Sequence, residues 1–220
     1  MILLLLGPPG AGKGTQAKLL AQEYRIPHVS TGDMFRDHKA RGTELGKRIQ
    51  AVMDAGGLVT DEITNALVDE RLSRPDVARG LILDGYPRTT AQAEHLERTL
   101  ASNGRTIDRV VSYEIPTDVV AERMGGRRSC PRCGAVYHVT ANPPRSAGRC
   151  DADGAPLVQR DDDRPENVRK RMVEYAEKTK PLKRFYEGRG LVSEVEAQGA
   201  PAAILASTRA LLGAGPGTAA

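Results

Sequence analysis

Tryptophan is absent from this sequence, and the aromatic residues together make up 4% of it. A surface that stacks single-stranded bases places aromatic rings among its basic residues. Their scarcity argues against a nucleic-acid platform, even though the net charge is +4 and the sequence pI is near 9.0. Cysteine is also scarce. The three present, Cys130, Cys133 and Cys150, form an odd, clustered set. That excludes a disulfide framework and fits a reducing compartment. Long apolar runs are missing as well. Nothing approaches the roughly 18 apolar residues of a membrane span. The opening run Ile2–Leu6 is shorter than the roughly 7–15 residues of a signal-peptide core, and a glycine-rich turn follows it at once. The expectation is a cytoplasmic protein that meets neither membrane nor nucleic acid.

What remains is an ordinary globular composition, with 40% hydrophobic and 27% charged residues in 220. Ile2–Leu6 is short, β-prone and fully apolar, as a parallel strand covered on both faces should be. Further strands are expected at His28–Ser30, Leu81–Leu83, Arg109–Ile115 and Leu191–Val195, with helical patterning between them. This alternation predicts an α/β fold of the doubly wound parallel-sheet type, with ligands at the carboxyl ends of the strands. Two stretches break the alternation. Residues 30–59 are polar and helical in pattern, and residues 127–164 hold every cysteine and a run of Asp. Both read as insertions on a core of 1–29, 60–126 and 165–220. The tail Gly213–Ala220 is low in complexity and expected to fray.

Gly7-Pro8-Pro9-Gly10-Ala11-Gly12-Lys13-Gly14-Thr15 lies between the first strand and the first helix. It meets the phosphate-loop pattern G-x-x-x-x-G-K-[ST] through Lys13, but Gly14 takes the Ser/Thr place and Thr15 comes one later. Glycines let backbone N–H groups approach phosphate oxygens, and the helix N-terminus adds its positive end. Lys13 supplies a mobile positive charge for a transferring phosphate. Gly10, Ala11, Gly12, Lys13, Gly14 and Thr15 are therefore the expected triphosphate cradle. Asp84 closes an apolar strand, as an acid that holds Mg2+ through its waters does.

Other motifs narrow the chemistry. Ser30-Thr31-Gly32-Asp33-Met34 precedes Arg36, and Leu83-Asp84-Gly85-Tyr86-Pro87-Arg88 precedes Gln92. Gly126-Arg127-Arg128, Arg160-Asp161-Asp162-Asp163 and Arg169-Lys170-Arg171 follow in order. With the phosphate loop, this set resembles the adenylate kinase family in its long-lid form, over residues 1 to about 210. The resemblance implies a monomer that moves a phosphoryl group reversibly, ATP + AMP giving two ADP, with Mg2+. It implies that Arg36 and Arg88 hold the AMP phosphate, and that Arg123, Arg127, Arg160 and Arg171 gather around the transferring group. Gly85, Tyr86 and Pro87 would border AMP. Thr31 and Gln92 would lie near its adenine, with backbone groups of Gly57, Leu58 and Val59, while Val136 and Tyr137 would border the ATP base. Bringing two polyanions end to end requires several arginines at one point, because Arg grips phosphate bidentately. The rivals are a kinase for another nucleoside monophosphate such as UMP or CMP, and a zinc-ribbon nucleic-acid-binding protein switched by a nucleoside triphosphate.

Cys130-x2-Cys133 and Cys150-x2-Asp153, sixteen residues apart, read as two knuckles around one tetrahedral metal, with Zn2+ the best match. Gly134 and Gly154 suit the knuckle turns. His138 and Asp151 are rival fourth ligands with less suitable spacing. Four protein ligands leave no open position, so the metal's expected role is structural.

Overall fold

In a computed structural model of the chain, residues 1–54 and 57–213 are described. Positions 55 and 56 of the helical insertion, and all of the small-residue tail beyond Gly213, lie outside them. Ile2–Leu6 (β1) is buried at every residue. Its side chains alternate between two cores. Ile2, Leu4 and Leu6 pack with Leu81, Leu83 and Val110 on one side of the sheet. Leu3 and Leu5 pack with Ala17, Leu20 and Val111 on the other. An unbroken apolar strand is what cover on both faces demands.

The remaining strands are β2 (His28–Ser30), β3 (Leu81–Asp84), β4 (Arg109–Glu114), β5 (Arg127–Ser129), β6 (Val136–His138) and β7 (Val192–Glu196). Five of them form one parallel sheet in the order β2-β3-β1-β4-β7, while β5 and β6 pair antiparallel outside it. The last core strand thus begins one residue later than the sequence pattern indicates. The helices are α1 (Lys13–Tyr24), α2 (Thr31–Ala40), α3 (Glu44–Asp54), α4 (Asp61–Leu72), α5 (Thr90–Ala101), α6 (Thr117–Gly126), α7 (Pro165–Glu174), α8 (Pro181–Glu187) and α9 (Pro201–Leu212). From β1 the chain first runs to one side of the sheet and then crosses to the other. That reversal opens a crevice at the carboxyl ends of β1, β3 and β4. Asp84 enters it beside Leu5 of β1.

Two outgrowths flank the crevice. On one side α2 starts from Ser30, whose hydroxyl accepts from the Asp33 N–H at 3.2 Å. Phe35 of α2 and Ile49 of α3 pack with Val59 and Leu67 in a cluster of their own. On the other side β5 and β6 enclose Cys130, Tyr137, Cys150 and Ala155. Beyond α7 the backbone makes one wide π-turn, Tyr175–Thr179, before Pro181 starts α8. Among the described residues, no helix is long and apolar enough to cross a membrane.

Candidate functional site

The loop after β1 is tightest at its first residue. Gly7 has φ +135°, and a Cβ there would sit 2.6 Å from the carbonyl oxygen of Tyr113. Gly14 takes the usual Ser/Thr place, in the first turn of α1. A Cβ there would lie 3.3 Å from Asp84 Oδ2, so the helix start and the acid approach closely. Lys13 Nζ donates to the carbonyls of Gly7 and Pro8 at 2.7 and 2.8 Å. Burial pulls its pKa down to about 8, against the opposing pull of Asp84.

Asp84 answers that charge. Burial would raise its carboxyl, but His28, whose Nε2 lies 3.3 Å from Oδ2, and Lys13 together hold it below the usual carboxylate range. His28 was not singled out in the sequence. The signal for it is positional, since β2 runs parallel beside β3 with His28 opposite Ile82 and Ser30 opposite Asp84.

Arg88 is fixed at three points. Its Nε donates to the Gly85 carbonyl at 2.8 Å, its backbone N–H to Gln92 Oε1 at 2.7 Å, and its carbonyl accepts from Thr179 Oγ1 at 3.0 Å. Gln92 is buried and spans Arg88 and Asp61, donating from Nε2 to Asp61 Oδ1 at 2.7 Å. Thr31 donates its hydroxyl to the Gly85 carbonyl at 2.8 Å. The two residues expected near a base are thus also braces of the Gly85–Arg88 turn. Pro87 and Gly85 line the crevice with Leu58, whereas the Val59 side chain lies in the insertion's own core. The Gly57 N–H donates to the Val52 carbonyl at 2.9 Å. Tyr86 turns away from the crevice. Its ring sits in the main core, and its hydroxyl donates to Asn65 Oδ1 at 2.7 Å. Arg36 pairs with Asp33 at 2.6 Å.

Lys13, Arg88 and Arg171 line the crevice, Arg127 is near enough to act on Lys13 and Arg171, and Arg160 lies near Arg127 and Arg36. Arg171 lies 2.8 Å from Asp162. Burial, assisted by Arg127 and Arg88 and opposed by Asp162, lowers its pKa to about 10. Arg160 donates from Nε to Ser129 Oγ at 2.8 Å, and burial with Arg36 and Arg127 nearby lowers it to about 10. Arg127 makes a two-pronged pair with the fully buried Asp163, which overrides burial and holds its pKa above the ordinary value. Clustered, partly desolvated guanidinium groups that repel one another are matched by a polyanion. Arg123 lies on α6, where partial burial lowers its pKa against the opposing pull of Glu122.

The cysteine knuckles are built alike. The Cys130 N–H donates to the Ala135 carbonyl, and the Gly134 N–H to the Cys130 carbonyl. Cys150, Ala155 and Gly154 repeat the pattern. Ligand atoms of Cys130, Cys133, Cys150 and Asp153 all lie within 4.8 Å of one another. Cys133 and Cys150 Sγ are 3.5 Å apart, and Cys130 Sγ is 3.4 Å from Asp153 Oδ2. A tetrahedron with bonds of about 2.3 Å to sulfur has edges of about 3.8 Å, so the four groups fit around one ion. The cysteines are free thiols. The rival ligands are engaged elsewhere. His138 Nδ1 faces the Thr140 and Ala141 N–H groups, and Asp151 accepts from the Arg145 N–H. Tyr137 packs into this small core with its hydroxyl 3.5 Å from Cys150 Sγ, whereas Val136 is exposed. The Tyr137 ring thus packs beside the cysteine cluster, and Tyr137 is not among the residues lining the crevice at Lys13.

A lysine-bearing glycine loop, an acid on the neighbouring strand and a ring of arginines define a phosphate-loop nucleotide-binding α/β protein. The family model for adenylate kinase matches residues 5–191. The sequence is 72% identical over 212 residues to an adenylate kinase of Anaeromyxobacter sp. (strain Fw109-5), covering 96% of this chain and 99% of that protein. It is 71% identical over 213 residues to the adenylate kinase of Anaeromyxobacter dehalogenans (strain 2CP-1 / ATCC BAA-258), covering 97% and 100%. It is 53% identical over 212 residues to that of Moorella thermoacetica (strain ATCC 39073 / JCM 9320), covering 96% and 98%. The chain belongs to the adenylate kinase family.

Proposed function

We propose that this chain catalyses the reversible reaction ATP + AMP ⇌ 2 ADP. The observation that carries the reading is the placing of Lys13, Arg88 and Arg171 in one crevice beside the glycine loop, with Arg127 close enough to act on Lys13 and Arg171 and Arg160 close to Arg127. The loop N–H groups and Lys13 would hold the ATP phosphates. Arg36 and Arg88 would hold the AMP phosphate against them, with Thr31, Gln92 and the backbone of Gly57–Val59 toward its base. An AMP phosphate oxygen would then attack the γ-phosphorus as the bond to the β–γ bridging oxygen breaks, giving one ADP on each side. No general base is needed, because the attacking oxygen is already anionic. The chain's share of catalysis is alignment and charge. Mg2+, bound with ATP, would neutralise part of the phosphate charge, and Asp84 is the residue placed to hold its waters.

The core would be residues 1–29, 60–126 and 165–220, with an AMP-binding insertion at 30–59 and a lid at 127–164. Zn2+ is the proposed ion at Cys130, Cys133, Cys150 and Asp153, supplying folding energy to a lid with little core of its own. We read the protein as a cytoplasmic monomer without nucleic-acid or membrane partners. A coupled assay with AMP, UMP, CMP and GMP as acceptors tests the reaction. AMP should be the best substrate, and faster turnover of UMP or CMP would overturn the choice of acceptor.

A further inference from the structure

The insertion and the lid side of the crevice meet at a single carboxamide. Asn167 lies in the first turn of α7 and is 8% exposed. Its Nδ2 donates at 2.6 Å to the carbonyl of Asp54, the last residue of α3, and at 2.9 Å to the carbonyl of Asp161. Both partners only accept, so the orientation of the amide is fixed by chemistry. The Asp161 carbonyl belongs to the turn that carries Arg160 at one end and Asp162 and Asp163 at the other. Those two acids in turn hold Arg171 and Arg127. Among the described residues this is the one hydrogen bond that joins α2 or α3 to the arginine-bearing turn or α7.

The geometry points to Asn167 as a positioning residue, a neutral catch that holds the insertion against the arginine turn so that Arg36 and Arg160 close on the acceptor phosphate from opposite sides. This rests on the reading above, in which the insertion holds AMP. A neutral donor suits the task. Arg36 and Arg160 are near enough to repel, and a charged catch would add to one side of that contest or be screened by salt. The two N–H groups of one amide satisfy two partly buried carbonyls whatever the charge between the arginines.

The test separates positioning from folding. Asn167→Asp keeps the shape and is acceptable in a helix first turn, where acids are favoured, but it loses both donors and faces two carbonyl oxygens with a charge. Asn167→Ala simply removes the donors, and Asn167→Thr restores one. In the full-length protein, KM for AMP should rise roughly tenfold in Asn167→Asp and Asn167→Ala, and by less in Asn167→Thr. KM for ATP should stay within about twofold and Tm should be nearly unchanged in Asn167→Asp. Unchanged KM for AMP, or equal rises in both KM values, would overturn the proposal. Amide hydrogen exchange at the end of α3 supplies a readout without turnover and should be faster in Asn167→Asp. A wild type that rejects AMP would sink the functional reading, while faster exchange in the variant would still support the catch.

Discussion

Lys13 shows how a single residue can report on ligand binding. With its pKa near 8, burial has removed much of its preference for charge. An incoming triphosphate restores that preference. Above pH 8 ATP binding should therefore take up a proton, approaching about 0.9 per site at pH 9 and falling to about 0.1 at pH 7. Calorimetry in two buffers of different ionisation enthalpy measures this directly, and equal heats at pH 9 would contradict it. The sign for stability follows from the same shift. The unfolded chain binds the proton up to pH 10.5 and the folded chain only to about 8. The lysine therefore opposes folding least at high pH, and its contribution improves as pH rises between those values. At this scale the sequence was a good guide to Lys13, Asp84 and the cysteines, because each belongs to a motif only a few residues long. It carried no signal for the orientation of the Tyr86 and Tyr137 rings or for the partners of Asn167. Where a ring points, or which carbonyl an amide finds, depends on packing between distant segments, and Asn167 and Asp54 are 113 positions apart.

Among the elements, the proposed lid has little packing of its own. Its core is four buried residues, two of them cysteines. A chelator should release one equivalent of metal and make all three thiols reactive to a disulfide reagent. A low-temperature unfolding transition should appear while the main transition, that of the sheet, stays in place. Substitution Asp153→Ala removes a proposed ligand and should weaken metal binding by more than the roughly 10–100-fold that losing a supporting group around a metal site costs. Full thiol reactivity before chelation would contradict a loaded site. The strands were legible because Ile2–Leu6 and Leu81–Leu83 are apolar and short. The π-turn at Tyr175–Thr179 was not, since no residue there forbids a plain α-helix. Thr179, at its end, donates to the Arg88 carbonyl.

Over the whole molecule, the proposed reading has two outgrowths acting on one ligand in a crevice lined by Lys13, Arg88 and Arg171. A ligand that joins two adenosines through five phosphates should satisfy both sides together. At 100 times its Kd it should add about 2.7 kcal/mol of stability, which for a chain of this size raises Tm by about 5–10 °C. Hydrogen exchange should slow in α2, α3 and the lid alike. A change confined to the glycine loop would mean that the outgrowths do not act on the same ligand. The doubly wound arrangement itself was readable from the alternation of strands and helices. The placement of β1 at its centre was not, because strand order is a property of crossovers rather than of local pattern.

That central place sets a timetable for biosynthesis. β1 is the first strand to be made, yet its neighbours in the sheet begin at Leu81 and Arg109. At about 5–20 residues per second, the first of them follows roughly 4–16 s later. For that interval the most apolar segment of the chain, Ile2–Leu6, has no partner, and the nascent protein must carry it unpaired until β3 and β4 emerge.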